Sequence, residues 1–144
     1  MKRQEVIPGV HAVGALDPER VLFDSLIPLS EGTSYNAYLV EGRDKTALMD
    51  TVDPAKTATL FHNLEGVESI DYVVAHHAEQ DHSGSLPAIL ERYPMARIVT
   101  NAKAQRLLMD LLPLDEDAFD VVDDGDRLEL GNATLTFRNL PWVH

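Results

Sequence analysis

A chain of 144 residues, 44% of them hydrophobic, is long enough for one domain with a buried core and too apolar to be disordered. Its 12 Lys and Arg against 24 Asp and Glu leave a formal net charge of −12 with no basic patch, which excludes binding to nucleic-acid phosphates. The absence of cysteine excludes disulfides, thiolate metal sites, iron–sulfur clusters and a cysteine nucleophile. The first residues lack the apolar stretch of a signal peptide, and no apolar run reaches the roughly 18 residues of a membrane span, so a soluble cytoplasmic protein is expected.

In chain order, residues 5–13 and 21–29 read as strands, being rich in β-branched and apolar residues between turn signals. Residues 34–40 alternate in polarity before the turn Glu41-Gly42-Arg43-Asp44, and residues 46–50 return as a hairpin partner. Asp53 as N-cap and Pro54 at the first helical position start a helix through residue 64, closed by Gly66. Residues 72–75 form a strand, Ser85-Leu86-Pro87 opens a helix to Tyr93, and Pro94 stops it. A strand at 97–100, a helix at 102–112, a strand at 119–122 and a hairpin over 127–137 turning at Gly131-Asn132 complete the chain. Asp115-Glu116-Asp117 and Asp123-Asp124-Gly125-Asp126 lack the alternation and terminal Glu of a calcium loop and are read as turns. This pattern predicts a single layered α/β domain, with helices covering a mixed sheet.

The chemistry is concentrated in His77-Ala78-Glu79-Gln80-Asp81-His82, directly after the apolar run Tyr72-Val73-Val74-Ala75. If the segment is extended, His77, Glu79 and Asp81 share one side and His82 faces the other, an arrangement suited to two adjacent metals. One such residue alone would mean a solvated turn; four in six residues point to a metal site. Two carboxylates mixed with imidazoles favour a harder ion, iron before manganese or zinc. The chain ends on a further histidine, His144, after Pro141-Trp142-Val143.

The run from His77 through His82-Ser83-Gly84-Ser85-Leu86-Pro87 resembles the HxExDHSGxLP signature of the flavodiiron proteins, or A-type flavoproteins, whose catalytic domain has a metallo-β-lactamase-like fold. Gly14-Ala15-Leu16-Asp17, the segment from Gly32 to Val40, and Leu48-Met49-Asp50-Thr51-Val52 also resemble that family, so the likeness covers essentially all 144 residues. It implies an αββα metallo-β-lactamase-like sandwich, of which residues 1–144 would be the N-terminal half, a mixed sheet with helices on one face. It further implies a non-haem diiron centre that reduces O2 to water, NO to N2O, or both. His77, Glu79 and His144 would bind one iron and Asp81 the other, with His82 at or beside it. Asp50 would orient the ligand loop from behind, although an Asp at that point can equally begin a turn. His76, where a polar residue such as Asn is expected, is read as a neutral neighbour, since adjacent strand residues point oppositely.

The family's bridging Asp, its last His ligand and its flavodoxin-like FMN domain have no counterpart in these residues. Incomplete loading with two irons, no FMN binding by this chain alone, and homo-oligomer formation are therefore expected, with rubredoxin or a flavin reductase as electron donor. Two alternatives stand beside this reading: a metallo-β-lactamase-type zinc hydrolase working through metal-bound hydroxide, which Glu79 in place of histidine disfavours, and a non-catalytic truncated fragment that binds metal without turnover.

Overall fold

The computed structural model describes residues 3–23 and 25–140. Strands Gln4–Ile7 (β1), Val10–Ala12 (β2), Ala15–Asp17 (β3), Leu22–Phe23 (β4), Ile27–Pro28 (β5), Thr33–Tyr35 (β6), Tyr38–Glu41 (β7) and Thr46–Met49 (β8) fill the first third. Helix Thr57–Asn63 (α1), strand Tyr72–Val74 (β9), helices Gln80–Ser83 (α2) and Leu86–Arg92 (α3), strand Arg97–Thr100 (β10) and helix Ala102–Leu111 (α4) follow. Strands Phe119–Val121 (β11), Arg127–Glu129 (β12) and Thr134–Thr136 (β13) complete the described elements.

Seven strands form one mixed sheet in the order β1-β2-β7-β8-β9-β10-β11, antiparallel from β1 to β8 and parallel from β8 to β11. A registered row of side chains, Leu39, Leu48, Val73, Ile98 and Phe119, crosses the five strands from β7 to β11 on one face. These residues share a single buried cluster with Leu60, Leu64, Leu86, Ile89 and Leu108 from the helical segments, so the helices lie on that face. Each fully buried Leu or Ile here contributes about 1.5–3 kcal/mol relative to exposure. The neighbouring residues Ala47, Val74 and Val99 are also buried but stand outside this cluster, on the opposite face. Burial on both faces is why the central residues of β8 to β10 are apolar on both sides rather than alternating with polar ones.

Local signals hold where they depend on adjacent residues. Asp53 caps as expected, its Oδ1 accepting from Ala55 N–H at 2.9 Å, though the first turn, Pro54–Lys56, is 3-10 before α1 begins. Asn101 caps α4 by accepting from the N–H groups of Lys103 and Ala104 at 3.0 and 2.9 Å. Among the described residues, no helix is long and apolar enough to cross a membrane.

Three expected strands are each divided. Residues 5–13 fold back on themselves as β1 and β2 around Gly9, whose φ of +79° a residue with a side chain rarely adopts. Within residues 21–29, Leu22–Phe23 and Ile27–Pro28 pair as the small hairpin of β4 and β5, and Ser25 holds φ +59°. Residues 34–40 split at Asn36-Ala37, so that β6 pairs with β3 while β7 enters the main sheet. A continuous β pattern does not reveal such breaks, because strand propensity is alike on both sides of each turn; β1 and β4 pair back onto their immediate successors, and β6 and β7 go to different sheets.

Candidate metal centre

The parallel half of the sheet determines where the site forms. Met49 and Val74 are register partners, so β8 and β9 end side by side and deliver Asp50 and His76 to the same edge. Asp50 N–H donates to Val74 O at 2.8 Å, and Thr100 Oγ1 donates to Ala75 O at 2.8 Å, closing the next strand over. A cavity of about 610 Å³ opens beyond these carboxyl ends, lined by His76, His77, Glu79, Asp81 and His82 together with Asn101 and Asp123 from the ends of β10 and β11. Parallel sheets place ligands at this end of their strands.

After His77 the chain does not stay extended. Glu79 adopts φ −65° and ψ 144° as the residue before α2, and its carbonyl accepts from the N–H groups of His82 at 3.0 Å and Ser83 at 2.8 Å. Asp81 and His82 therefore sit on a helical turn, and the strand-like alternation expected over residues 77–82 fails beyond Glu79. The turn is clamped on several sides. Thr51 N–H donates to His82 O at 3.0 Å, Ser83 Oγ donates to Ala78 O at 3.0 Å, and Ser85 Oγ donates to Val52 O at 2.9 Å. Gly84 lies so close to Pro54 that an added Cβ would come within 2.6 Å of the proline Cδ and Cγ. The small residues of the HSGS run thus have a packing reason: they let α2 sit directly on the turn that begins the α1 segment.

Asp50 anchors the site from below. It is 7% exposed and holds φ +59°, a left-handed conformation that Asp tolerates better than most residues. Its Oδ1 accepts from the His76 backbone N–H at 2.9 Å, and its Oδ2 lies 2.9 Å from His76 Nδ1 and 3.0 Å from His82 Nδ1. Burial pushes the Asp50 carboxyl upward, but the hydrogen bonds from His76 and His82 outweigh it and hold the group down to about 2. The same Asp50 hydrogen bond raises His82 above its ordinary value against the opposing effect of burial, and His76 is raised for the same reasons. His82 Nε2 stands 3.6 Å from Asp81 Oδ2, and the His77 and His82 rings are 4.2 Å apart at 50°.

Four of the five ligands expected from the sequence, His77, Glu79, Asp81 and His82, are thus brought to one cavity, with Asp50 behind them; His144 lies outside the described residues. By donor type these nitrogens and oxygens fit a divalent first-row ion. Among the described residues, no group of three or more His, Asp or Glu side chains is arranged to hold one. The expectation that His76 is a neutral neighbour is overturned, because it grips Asp50 through both its backbone and its ring. Alternation carried past the end of β9 would turn His76 away from His77, but what it would meet there depended on the pairing of β9 with β8.

Residues 31–143 match the family model described as the Metallo-beta-lactamase superfamily. The chain belongs to that superfamily. The rubredoxin-oxygen oxidoreductase of Megalodesulfovibrio gigas is 35% identical over 147 residues, covering 100% of this chain and 36% of that protein. The anaerobic nitric oxide reductase flavorubredoxin of Aliivibrio fischeri is 38% identical over 120 residues, covering 81% of this chain and 24% of that one. The crystal structure of the flavodiiron protein from Giardia intestinalis matches with a TM-score of 0.91 and 31% identity, covering 100% of this chain and 36% of the other. The flavodiiron resemblance and the metallo-β-lactamase-like fold are both borne out by these relatives. The chain spans about a third of the length of the first curated relatives it matches.

Proposed function

We propose that this chain carries the iron-binding loop of a flavodiiron oxidoreductase, acting on O2, NO or both, and that residues 1–144 form the N-terminal portion of its metallo-β-lactamase-like domain. The observation that carries this reading is the set His77, Glu79, Asp81 and His82 lining one cavity at the carboxyl end of β9, with Asp50 hydrogen-bonded to His82 behind it.

In this reading His77 and Glu79, with His144, hold one iron, while Asp81 and His82 serve the second. Glu79 and Asp81 supply anionic oxygens that tolerate a change in iron charge, and no thiolate is present to be oxidised. When bound, the iron pair would supply electrons to the diatomic substrate. An ionised Asp50 beside Nδ1 would favour the His82 proton there, leaving Nε2 on the side of Asp81 and the cavity. FMN would be held by residues outside this chain, within a homo-oligomer, and rubredoxin or a flavin reductase would deliver the electrons.

The test is anaerobic reconstitution with ferrous, zinc and manganous salts in competition, followed by metal analysis and assays of O2 and NO consumption with reduced FMN and a flavin reductase. Iron retained in preference to zinc, with consumption of either gas, is the expected result. Zinc retained in preference, together with ester or thioester hydrolysis, would establish the hydrolase reading instead; iron bound without turnover would leave a metal-binding fragment.

A further inference from the structure

We propose that His76 is a positioning residue that locks the Asp50 carboxylate at both oxygens and thereby fixes the ring orientation and tautomer of His82. The lock is a chelate made by one residue. His76 donates its backbone N–H to Oδ1 at 2.9 Å, and its ring Nδ1 meets Oδ2 at 2.9 Å. A carboxylate held in this way, by a hydrogen bond at one oxygen and a close ion-pair contact at the other, cannot turn about its Cβ–Cγ bond without losing one of the two. The remaining direction at Oδ2 is taken by His82 Nδ1 at 3.0 Å.

An ionised carboxylate has no proton to give, so both imidazoles must donate from Nδ1. Each neutral ring is then left with its lone pair on Nε2, and for His82 that atom lies 3.6 Å from Asp81 Oδ2 at the cavity. The backbone reinforces the arrangement. Asp50 holds a left-handed φ of +59°, its N–H is tied to Val74 O at 2.8 Å, and Thr51 N–H is tied to His82 O at 3.0 Å, so the segments bearing the carboxylate and the ring are pinned to one another. Asp50 is only 7% exposed, so water cannot freely take the place of the His76 N–H at Oδ1. Without the ring donor, the carboxylate keeps one bond to residue 76 and gains freedom to rotate, and His82 loses its fixed acceptor.

The inference rests on the metal-loop reading only in treating His82 Nε2 as a metal donor; the lock itself can be measured without metal. Long-range proton–nitrogen correlation spectra of the 15N-labelled, metal-free protein, recorded at alkaline pH where both imidazoles are neutral, report which ring nitrogen carries the proton. The expected result is the Nδ1–H tautomer for both His76 and His82. His76→Phe should allow His82 to populate both tautomers and should weaken manganese(II) binding, read by electron paramagnetic resonance titration, by about 10–100-fold, the range for losing a group that orients a ligand. His76→Asn, whose Nδ2 stands close to the position of Nδ1, should restore both readouts. An Nε2–H tautomer at either ring in the unsubstituted protein overturns the proposal and needs no variant to fold. So does a folded His76→Phe protein that keeps the His82 tautomer and binds manganese within about twofold of the original. Two Nδ1–H tautomers in a protein that binds no manganese would uphold the lock and count against the metal reading alone.

Discussion

Asp50 and His82, 32 residues apart in the chain, are joined by a 3.0 Å hydrogen bond between Oδ2 and Nδ1. That bond ties the end of a central strand to the helical turn carrying two of the candidate ligands. It makes the rigidity of the sheet available to an otherwise short surface loop.

Asp50→Asn separates the charge of this residue from its backbone geometry, because Asn also tolerates a left-handed φ. The amide can accept at only one atom, and its NH2 group must then face an N–H of His76 or His82. A loss of about 1–3 kcal/mol in folding stability is expected from the unsatisfied buried donor, measured by urea denaturation. Metal affinity should fall by about 10–100-fold in calorimetric titration. Unchanged values for both would mean that the carboxylate does not organise the loop.

Gly84→Ala probes the contact between α2 and the turn at Pro54. Gly84 has φ −63°, so alanine meets no backbone penalty, but its Cβ would lie 2.6 Å from Gln80 O and from two carbons of Pro54. Overpacking of this kind costs about 1–3 kcal/mol. The lost stability should appear in a urea midpoint shift, and His82 amide and ring signals should move with it. A stability within experimental error of the original would show that α2 can shift away without consequence.

The pH dependence of stability should carry a signature of Asp17. This buried carboxylate lies 3.0 Å from Lys56 Nζ and accepts from Tyr35 Oη at 3.2 Å. The Lys56 hydrogen bond is the main cause holding it below the usual carboxylate range, against the opposing effect of burial. A folded value below the unfolded one means that the contribution is fully present above the unfolded value and is lost as pH falls through the folded one. The stability difference between the original protein and Asp17→Asn should therefore shrink as pH is lowered from about 5 to about 2. A difference that stays constant over that window in chemical denaturation would contradict the assignment.

Leu48→Ala tests the row that joins sheet to helices. Leu48 is fully buried at the centre of the seven-stranded sheet, between Leu39 and Val73. The expected loss is about 2–5 kcal/mol, from lost transfer energy plus the cavity left behind. Arg127→Ala is the contrast, since that side chain is 64% exposed with its partner Glu129 3.6 Å away, and a change within about 1 kcal/mol is expected. Equal losses for the two variants would argue against the central packing described.

Much of the architecture was legible because it depends on residues close in sequence. The strand at 72–75 announced itself as an apolar run and residues 46–50 as a hairpin partner, and Asp53 marked a helix start through a side-chain hydrogen bond that spans two residues. The donor set was legible in the same way, since the types of His77, Glu79, Asp81 and His82 state what they can bind irrespective of fold. Residue types and short-range bonding were thus sufficient for a layered α/β domain and for a candidate ligand loop. The division of residues 34–40 between two sheets, the winding of residues 80–83 into a helix, and the conversion of His76 from bystander to anchor were decided only in three dimensions. Each is set in place by a partner distant in sequence: β3 for β6, Asp50 and Thr51 docking the locally bonded turn at His82, and the Met49 and Val74 pairing that sets Asp50 beside His76. A carboxylate can organise two imidazoles only when the sheet has brought strand ends together, and it is the burial of the central strands that fixes this register.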